Sequence, residues 1–277
     1  MKKILLGLIG AGIQRSLSPA LHEEEGRHHG LRVHYQLIDV DAPDILPDLM
    51  RAIRVIGFAG VNVTYPFKQA VIPLLDSLSE EVRAIGAVNT VVREGNRLVG
   101  HNTDGSGWSW GFRRALPKAD LARVVLLGAG GAGLARADAV LRLGATRLLI
   151  VDQDASRASA LAVRLNRHLP GPRASASTDL GEALAGASGL IHATPTGMAT
   201  MPGMPVPQAL LRPSMWVSEI VYVPLETELL KAARRAGCAT ADGGHMNVGQ
   251  AIRGFELFTG LEADAARMDA HFRKLVA

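Results

Sequence analysis

The chain has 277 residues and contains few cysteines, few aromatic residues and no long run of charge of one sign. Its single cysteine, Cys238, excludes an intrachain disulfide and is typical of a protein from a reducing compartment. Cys238 lies between Gly237 and Ala239 in an apolar setting, which predicts a core position. Aromatic residues make up only 4% of the chain, and small and aliphatic residues dominate, a composition that favours helices packed closely on sheets.

Two further absences narrow the class of protein. The formal charge is +4, but lysine and arginine are scattered without a run of five or more, so nucleic-acid binding is not indicated. Met1-Lys2-Lys3 followed by the apolar run Ile4–Ile13 imitates a signal peptide, but no clean cleavage site follows, and its glycines suit a strand that ends in a loop. No other stretch has the length and apolarity of a membrane span. We therefore expect a cytoplasmic protein without membrane contact.

One stretch, from Val124 to Asp152, organises the rest of the chain. An apolar run of strand length, Val124–Leu127, leads into a glycine-rich segment, and an alanine- and leucine-rich helical pattern follows at Leu134–Leu143. A second apolar run, Arg147–Val151, ends at Asp152. Strand, glycine turn, helix, strand and acid form the layout of a dinucleotide-binding βαβ unit.

Each part of this layout has a physical role. Gly128 permits a tight turn, Gly130 lets a pyrophosphate approach the backbone, and Gly133 lets the helix pack against the strand. The first helical turn offers N–H groups to phosphates. Asp152, about 20 residues further on, is placed to accept hydrogen bonds from an adenosine ribose. The predicted cofactor-binding turn comprises Gly128, Ala129, Gly130, Gly131, Ala132 and Gly133.

Around this unit, helices alternate with strands, which predicts an α/β fold. The predicted strands before it are Ile4–Ile9, His34–Val40, Gly57–Val63, Gly86–Val92 and Val99–Asp104, with a hairpin turn at Glu94–Asn96. The predicted helices before it are Ala20–His29, Asp44–Val55, Lys68–Leu75 and Trp108–Leu116. After Asp152 we predict a third strand at Gly189–Ala193, a loop at Met201–Pro207, strands at Val217–Val221 and Gly237–Thr240, and helices at Glu226–Ala236, Met246–Thr259 and Asp264–Val276.

Lys68 and Asp104 are placed at predicted strand ends, where open α/β sheets bind ligands. A lysine beside an aspartate in a cleft can exchange a proton with a substrate hydroxyl; a surface salt bridge of little consequence is the alternative, and spacing alone leaves both open. Polar residues in neighbouring loops suit a polyhydroxylated ligand, although each alone is more typical of a turn or cap. They are Ser16, Ser18, Thr64, Asn89 and Asn102.

From end to end, the chain resembles the shikimate dehydrogenase family in a series of ordered motifs. These are Ser16-Leu-Ser-Pro-Ala-Leu-His22, Asn62-Val-Thr-Tyr-Pro-Phe-Lys68, Gly86-Ala-Val-Asn-Thr90, Asn102-Thr-Asp-Gly105, Gly128-Ala-Gly-Gly-Ala132, Ala193-Thr-Pro-Thr-Gly-Met198, Tyr222-Val-Pro-Leu-Glu-Thr227 and Gly243–Gln250. The resemblance implies a two-lobed fold, with an N-terminal open α/β substrate domain and a Rossmann dinucleotide-binding domain. The substrate domain would comprise residues 1–106 and 243–277, and the NAD-binding domain residues 107–242.

The resemblance also implies residue roles. Lys68 and Asp104 match the catalytic pair. The matched substrate ligands are Ser16 and Ser18 for a carboxylate, and Thr64, Asn89, Asp104, Gln250 and Tyr222 for ring hydroxyls. Further cofactor positions are Asp152, Arg157, Thr194, Ile220 and Gly243. No metal is expected, because the sequence shows no cluster of ligands at metal spacing.

Three departures from the family pattern bear on function. Asp152-Gln153-Asp154 replaces the Asn-Arg-Thr of NADP-using members, which removes a guanidinium and adds negative charge where a 2′-phosphate would lie; Arg157 partly offsets this. His192 replaces an asparagine, which we interpret as a packing substitution. His245 and Asn247 replace smaller or apolar residues near Gln250, and their roles are open.

The sequence therefore predicts an enzyme of aromatic amino acid biosynthesis or quinate use that oxidises shikimate, quinate or both at a ring hydroxyl and catalyses the reverse reduction. NAD is the expected cofactor, with NADP less favoured. The alternatives are an aminoshikimate dehydrogenase or another paralogue, and a dinucleotide-sensing protein without turnover. We expect a monomer or homodimer, and the sequence leaves the preferred substrate and the direction of the reaction open.

Overall fold

The computed structural model describes residues 1–276, and the chain divides into two compact units. One unit contains residues 1–103 and the chain from Gln250 onward, and the other contains residues 104–249. The expected domain boundaries, at 106/107 and 242/243, separate the residues expected to bind substrate from those expected to bind the dinucleotide. The two units above are defined by compactness instead, so the expected boundaries stay a prediction.

The first unit is built on a mixed sheet with strand order β2-β1-β3-β5-β6-β4. Its elements before the division are β1 (Lys2–Gly10), α1 (Ser18–His28), β2 (Leu31–Asp39), α2 (Leu46–Ile56), β3 (Gly60–Val63), β4 (Ser77–Leu78), α3 (Glu80–Ile85), β5 (Thr90–Glu94) and β6 (Arg97–His101). β1 pairs in parallel with β2 and β3, whereas β5 runs antiparallel to β3 and β6. Because apolar clusters cover both faces of the central strands, the sheet is buried on both sides.

The second unit has a sheet in which every neighbouring pair is parallel, in the order β12-β11-β10-β7-β8-β9. Its elements are α4 (Asp104–Ala115), β7 (Arg123–Leu127), α5 (Gly131–Arg142), β8 (Arg147–Val151), α6 (Ala155–His168), β9 (Ala174–Ser177), α7 (Leu180–Leu184), β10 (Gly189–His192), β11 (Trp216–Ser218), α8 (Glu228–Arg235) and β12 (Ala239–Ala241). The strand order reverses between β7 and β10, as in the doubly wound Rossmann fold, and ligands bind such sheets at the carboxyl ends of those strands.

The chain ends with α9 (Gly243–Thr259) and α10 (Ala265–Val276), and the division between the units falls within α9. The predicted α/β class and the Rossmann unit are thus confirmed. Cys238 is a core residue, with 7% of its surface exposed, as its apolar setting predicts. Within residues 1–276, no helix combines the length and apolarity that crossing a bilayer would need.

Three local predictions are wrong. Residues 68–75 form turns and a short 3₁₀ segment at Ile72–Leu74 rather than a helix, since Pro73 lacks an N–H and disfavours the helical conformation of the residue before it. The predicted strand at 86–92 begins only at Thr90, because Gly86 adopts a positive φ of 71° and ends α3. Asp104 does not end a strand; β6 ends at His101, and Asp104 begins α4.

The prediction that the strand at Gly189 is the third of this unit is also wrong. The region between β8 and Gly189 contains α6, β9 and α7, so that strand is the fourth in chain order. The signal for α6 was present in the sequence, because its buried residues recur at helical spacing. They are Ala158, Leu161, Ala162 and Leu165.

Candidate functional site

The loop after β1 carries two neighbouring serine hydroxyls. Ser16 Oγ lies 3.2 Å from Ser18 Oγ, and the Ser18 backbone N–H donates to Ser16 Oγ at 3.3 Å. Both residues are half-buried, and Ser18 begins α1 with Pro19 in its first turn. The contacts fix the two hydroxyls side by side, where together they can donate to one carboxylate.

A buried network lies in the sheet beside Ser18. The Tyr35 phenol, which is near the Ser18 hydroxyl, donates to Asn62 Oδ1 at 2.7 Å. Asn62 Nδ2 in turn donates to Thr90 Oγ1 at 3.0 Å. Burial raises the pKa of the Tyr35 phenol, and the nearby Ser18 hydroxyl opposes that shift only in part. Tyr35 therefore remains a neutral donor at physiological pH.

The network reaches Asn89, a predicted substrate ligand that is buried directly before β5. Asn89 Oδ1 accepts hydrogen bonds from Thr90 Oγ1 at 2.9 Å and from the Thr103 backbone N–H at 2.8 Å, and Asn89 Nδ2 donates to Thr103 Oγ1 at 3.0 Å. Asn89 therefore belongs to one hydrogen-bonded system with Tyr35, Asn62 and Thr90, and the Ser16–Ser18 hydroxyl pair lies beside it. Sequence reasoning did not assign Tyr35 or Asn62 a role, although Asn62 begins a recognised motif.

Lys68 and Thr64 lie on the turn that follows β3. The Thr64 N–H donates to Ile9 O at 2.9 Å, which ties the turn to the end of β1. The Val88 N–H donates to Lys68 O at 2.7 Å, which ties it to the segment before β5. Lys68 is half-buried, and Gln250 is half-buried on α9.

In the second unit, the glycine turn has the geometry that a pyrophosphate requires. Gly128 has a positive φ of 105°. A Cβ on Gly133 would lie 1.9 Å from the carbonyl oxygen of Gly128, so only glycine permits this packing of α5 on the turn. A Cβ on Gly130 would meet nothing within 4 Å, so open space lies at the start of α5, where helical N–H groups are available. These residues fit a dinucleotide phosphate.

Asp152 is bound to the glycine turn. Its Oδ2 accepts a hydrogen bond from the Ala129 N–H at 2.7 Å, and its Oδ1 accepts one from the Asp154 N–H at 2.9 Å. Arg157 Nε lies 3.4 Å from Asp154 Oδ2, with both side chains largely exposed. Asp152 is thus held at the mouth of the turn, and the nearby arginine is paired with a second carboxylate.

The remaining predicted cofactor residues follow the next two strands. Thr194 comes after β10, and Ile220 comes after β11. A Cβ on Gly243 would lie 2.4 Å from both the Ile220 and the Val221 carbonyl oxygens, so a glycine is required beside this loop. Tyr222, in the same loop, is 38% exposed.

Two buried residues that sequence reasoning did not place in the site lie beneath these loops. His192 is fully buried, and its Nδ1 lies 2.7 Å from Glu219 Oε1. The interpretation of His192 as a packing substitution is incomplete, because both of its ring nitrogens are hydrogen-bonded. No periodicity in the sequence could have paired these residues, since they lie on different strands.

Arg136 of α5 is the largest fully buried side chain in the described part of the chain. It hydrogen-bonds the Ala132 carbonyl oxygen and Met246 Sδ. Burial lowers the pKa of its guanidinium to about 10, while the carboxylates of Asp104 and Glu219 act in the opposite direction. The buried Asp104 carboxylate, a predicted catalytic group, therefore has a buried positive charge nearby.

A family model described as the shikimate dehydrogenase substrate binding domain matches residues 8–91. Among curated proteins, the shikimate dehydrogenase (NADP(+)) of Streptomyces avermitilis is 55% identical, and the alignment covers 98% of this chain and 95% of that protein. The quinate/shikimate dehydrogenase (NAD(+)) of Corynebacterium glutamicum strain R is 45% identical, with 98% of this chain and 99% of that protein covered.

Among solved structures, the quinate dehydrogenase from Corynebacterium glutamicum in complex with NAD superposes with a TM-score of 0.94. The two chains are 43% identical, and the match covers 99% of this chain and 100% of that one. The similarity therefore spans both units.

Proposed function

The chain belongs to the shikimate dehydrogenase family of NAD(P)-dependent oxidoreductases, and from that premise we propose that it interconverts shikimate with 3-dehydroshikimate, quinate with 3-dehydroquinate, or both, with NAD preferred. The observation that carries this proposal is that one chain contains both the Ser16–Ser18 hydroxyl pair beside the buried Asn89 network and a glycine turn shaped for a pyrophosphate.

We assign residues 1–106 and 243–277 to the substrate and residues 107–242 to the dinucleotide. The match of residues 8–91 to a substrate binding domain supports the first assignment, and the parallel sheet with its glycine turn supports the second. In this scheme the Ser16 and Ser18 hydroxyls bind the substrate carboxylate. Thr64, Asn89, Gln250 and Tyr222 hold the ring hydroxyls.

The proton steps belong to Lys68 and Asp104 in this proposal. During oxidation, Lys68 Nζ takes the proton of the reacting hydroxyl while Asp104 fixes the orientation of that hydroxyl; in the reduction, Lys68 returns the proton to the ketone oxygen. The bound nicotinamide supplies the hydride acceptor or donor. The glycine turn would bind the pyrophosphate through backbone N–H groups, and Thr194, Ile220 and Gly243 would lie along the nicotinamide.

The preference for NAD rests on charge at the end of β8. With NAD, Asp152 can accept hydrogen bonds from the ribose hydroxyls. With NADP, a phosphate of about two negative charges would face Asp152 and Asp154. Arg157 is paired with Asp154 at 3.4 Å, so a phosphate must compete with that carboxylate for the guanidinium. Relatives of both cofactor types match the chain, and this local charge is the basis for choosing between them.

A matrix of NAD and NADP against shikimate and quinate, followed by nicotinamide absorbance, tests the proposal. We expect turnover of at least one acid, with kcat/KM for NAD at least about tenfold above that for NADP, a difference of about 1.4 kcal/mol. Replacing Asp152→Asn, Gln153→Arg and Asp154→Thr together should move the preference toward NADP. Arg157→Ala is the matched control, because it should weaken NADP use without harming NAD use.

Two outcomes would count against parts of this scheme. Equal efficiency with NADP and NAD in the unsubstituted enzyme would refute the argument from Asp152. Tight dinucleotide binding without turnover of either acid would leave a paralogue, such as an aminoshikimate dehydrogenase, or a dinucleotide sensor. Activity on the amino analogue would separate those two.

A further inference from the structure

A buried polar network lies beneath the carboxyl ends of β10 and β11. These strands are parallel neighbours with Ile191 opposite Ser218, so the next residues, His192 and Glu219, follow in register. His192 is 0% exposed and Glu219 is 2% exposed. Two ionisable side chains are thus removed from water at the point where both strands enter the loops of the predicted cofactor site.

The Glu219 carboxylate accepts hydrogen bonds from the loop that follows β11. Its Oε1 accepts from the Ile220 N–H at 2.7 Å and from the Val221 N–H at 3.0 Å. Its Oε2 accepts from Thr227 Oγ1 at 3.0 Å, and Thr227 caps α8 by accepting from the Leu230 N–H at 3.2 Å. One carboxylate therefore fixes both the start and the end of this loop.

His192 links this carboxylate to the loop that follows β10. Its Nδ1 lies 2.7 Å from Glu219 Oε1, and its Nε2 lies 2.5 Å from Thr194 Oγ1. Because Glu219 Oε1 already accepts from two backbone N–H groups, we assign the ring hydrogen to Nδ1, and Nε2 is paired with the Thr194 hydroxyl. Thr194 Oγ1 also accepts from the Thr196 N–H at 3.4 Å.

Packing alone does not account for this arrangement, since apolar side chains would fill the same space without desolvating a carboxylate. The network fixes the position of the Thr194 hydroxyl relative to the Ile220 backbone, although the two residues lie on separate loops. Buried, mutually satisfied polar groups favour a single geometry.

We propose that His192 and Glu219 are positioning residues for the nicotinamide half of the dinucleotide. This inference rests on the proposed function, because Thr194 and Ile220 are assigned to the nicotinamide there. None of the hydrogen bonds described for Glu219 and His192 goes to the glycine turn or Asp152. The one close approach that the described residues show is by Thr194, whose Cγ2 would lie 2.9 Å from a Cβ on Gly128. Loss of these hydrogen bonds should therefore affect the nicotinamide half of the cofactor more than the adenosine half. A misplacement of about 1 Å at reacting atoms can cost about 100-fold in rate.

The test compares binding of a dinucleotide with binding of its counterpart that lacks nicotinamide. The probes are NAD and ADP-ribose, or NADP and 2′-phospho-ADP-ribose if the unsubstituted enzyme prefers NADP. In His192→Phe, which retains a ring but no hydrogen-bonding atom, we expect the Kd of the dinucleotide to rise at least about fivefold. The Kd of the nicotinamide-free probe should change less than about twofold, and kcat should fall more than the KM of the acid substrate rises.

Two further variants separate positioning from folding. His192→Asn places an amide nitrogen where Nδ1 lies, so it should retain the bond to Glu219 and recover most of the dinucleotide affinity. Ser218→Ala is the matched control: Ser218 is 3% exposed at the end of β11, directly before Glu219, and its hydroxyl accepts from Trp108 Nε1 at 3.0 Å. Loss of that bond should change neither Kd.

Equal weakening of both probes in a folded His192→Phe protein would overturn the inference, as would unchanged dinucleotide affinity together with unchanged kcat. Failure of the proposed function gives a different result. In that case the unsubstituted protein would fail to bind either probe, or it would turn over neither shikimate nor quinate.

Discussion

We predict that His22 makes the stability of the first unit depend on pH. The ring is 1% exposed, stacks on Tyr35 with centroids 5.0 Å apart, and also contacts Phe255 and Phe258. Within the described chain, its Nδ1 has no hydrogen-bond partner. Burial lowers the pKa of His22 from 6.5 to about 4, and the Glu25 carboxylate offsets this only in part. The folded protein therefore keeps the ring neutral in weakly acidic solution.

The direction and size of the effect follow from this pKa. Between pH 6.5 and about 4 the unfolded chain binds a proton at His22 that the folded chain does not bind, so the free energy of unfolding falls as pH falls. The lowering of the pKa corresponds to about 3 kcal/mol at full effect. His22→Phe keeps an aromatic ring in the stack and removes the titration. We expect its unfolding free energy, relative to the unsubstituted protein, to rise by about 3 kcal/mol from pH 7 to pH 4.

Urea unfolding followed by circular dichroism at several pH values measures this difference. If the two units unfold separately, the transition that His22→Phe shifts is the one to compare. His34→Gln is the control, because His34 is exposed on β2, and its profile should run parallel to that of the unsubstituted protein. Parallel profiles for His22→Phe and the unsubstituted protein, or a His22 NMR titration centred near pH 6.5, would refute the reasoning.

Three further predictions concern catalysis, substrate binding and the C-terminal helix. Lys68→Ala should lower kcat by about 10²–10⁴-fold with a smaller change in substrate KM, and near-normal kcat in the folded variant would contradict the relay role. Combined Ser16→Ala and Ser18→Ala should raise the KM of the acid substrate, since a hydrogen bond to a charged group contributes about 1.5–3 kcal/mol, and should leave dinucleotide affinity unchanged; equal weakening would indicate misfolding. Glu25→Gln should lower the unfolding free energy by about 2 kcal/mol, because the Glu25 carboxylate accepts two hydrogen bonds from Arg267, at 2.7 and 2.9 Å. An unchanged urea midpoint would show that this pair contributes nothing.

Local pattern was enough to predict the βαβ unit. The positive φ of Gly128 and the close packing at Gly133 are properties of a short contiguous segment, so residue type and spacing expose them directly. The function came from the resemblance of ordered motifs to a family rather than from the chemistry of single residues. Lys68 and Asp104 alone were equally compatible with a surface ion pair.

Secondary-structure prediction failed where two local sequence signals favoured different structures. At residues 68–75, Pro73 outweighed the helical pattern. The region around α6 is largely polar, and no helix was predicted there although its apolar residues recur at helical spacing. Both outcomes were accessible to sequence reasoning, because the competing signals lie within one or two helical turns of each other.

Only the tertiary structure decided which polar residues meet. Tyr35 donates to Asn62, and His192 reaches Glu219, across strands that are distant in sequence. Arg136 is buried although it lies in a helix whose sequence gives no sign of a charged partner. Hydrogen bonds of this kind depend on the register of neighbouring strands and on the direction of each side chain, and periodicity along one strand specifies neither. The sequence thus predicted which loops carry the chemistry, whereas the folded sheets determined which buried groups hold those loops in place.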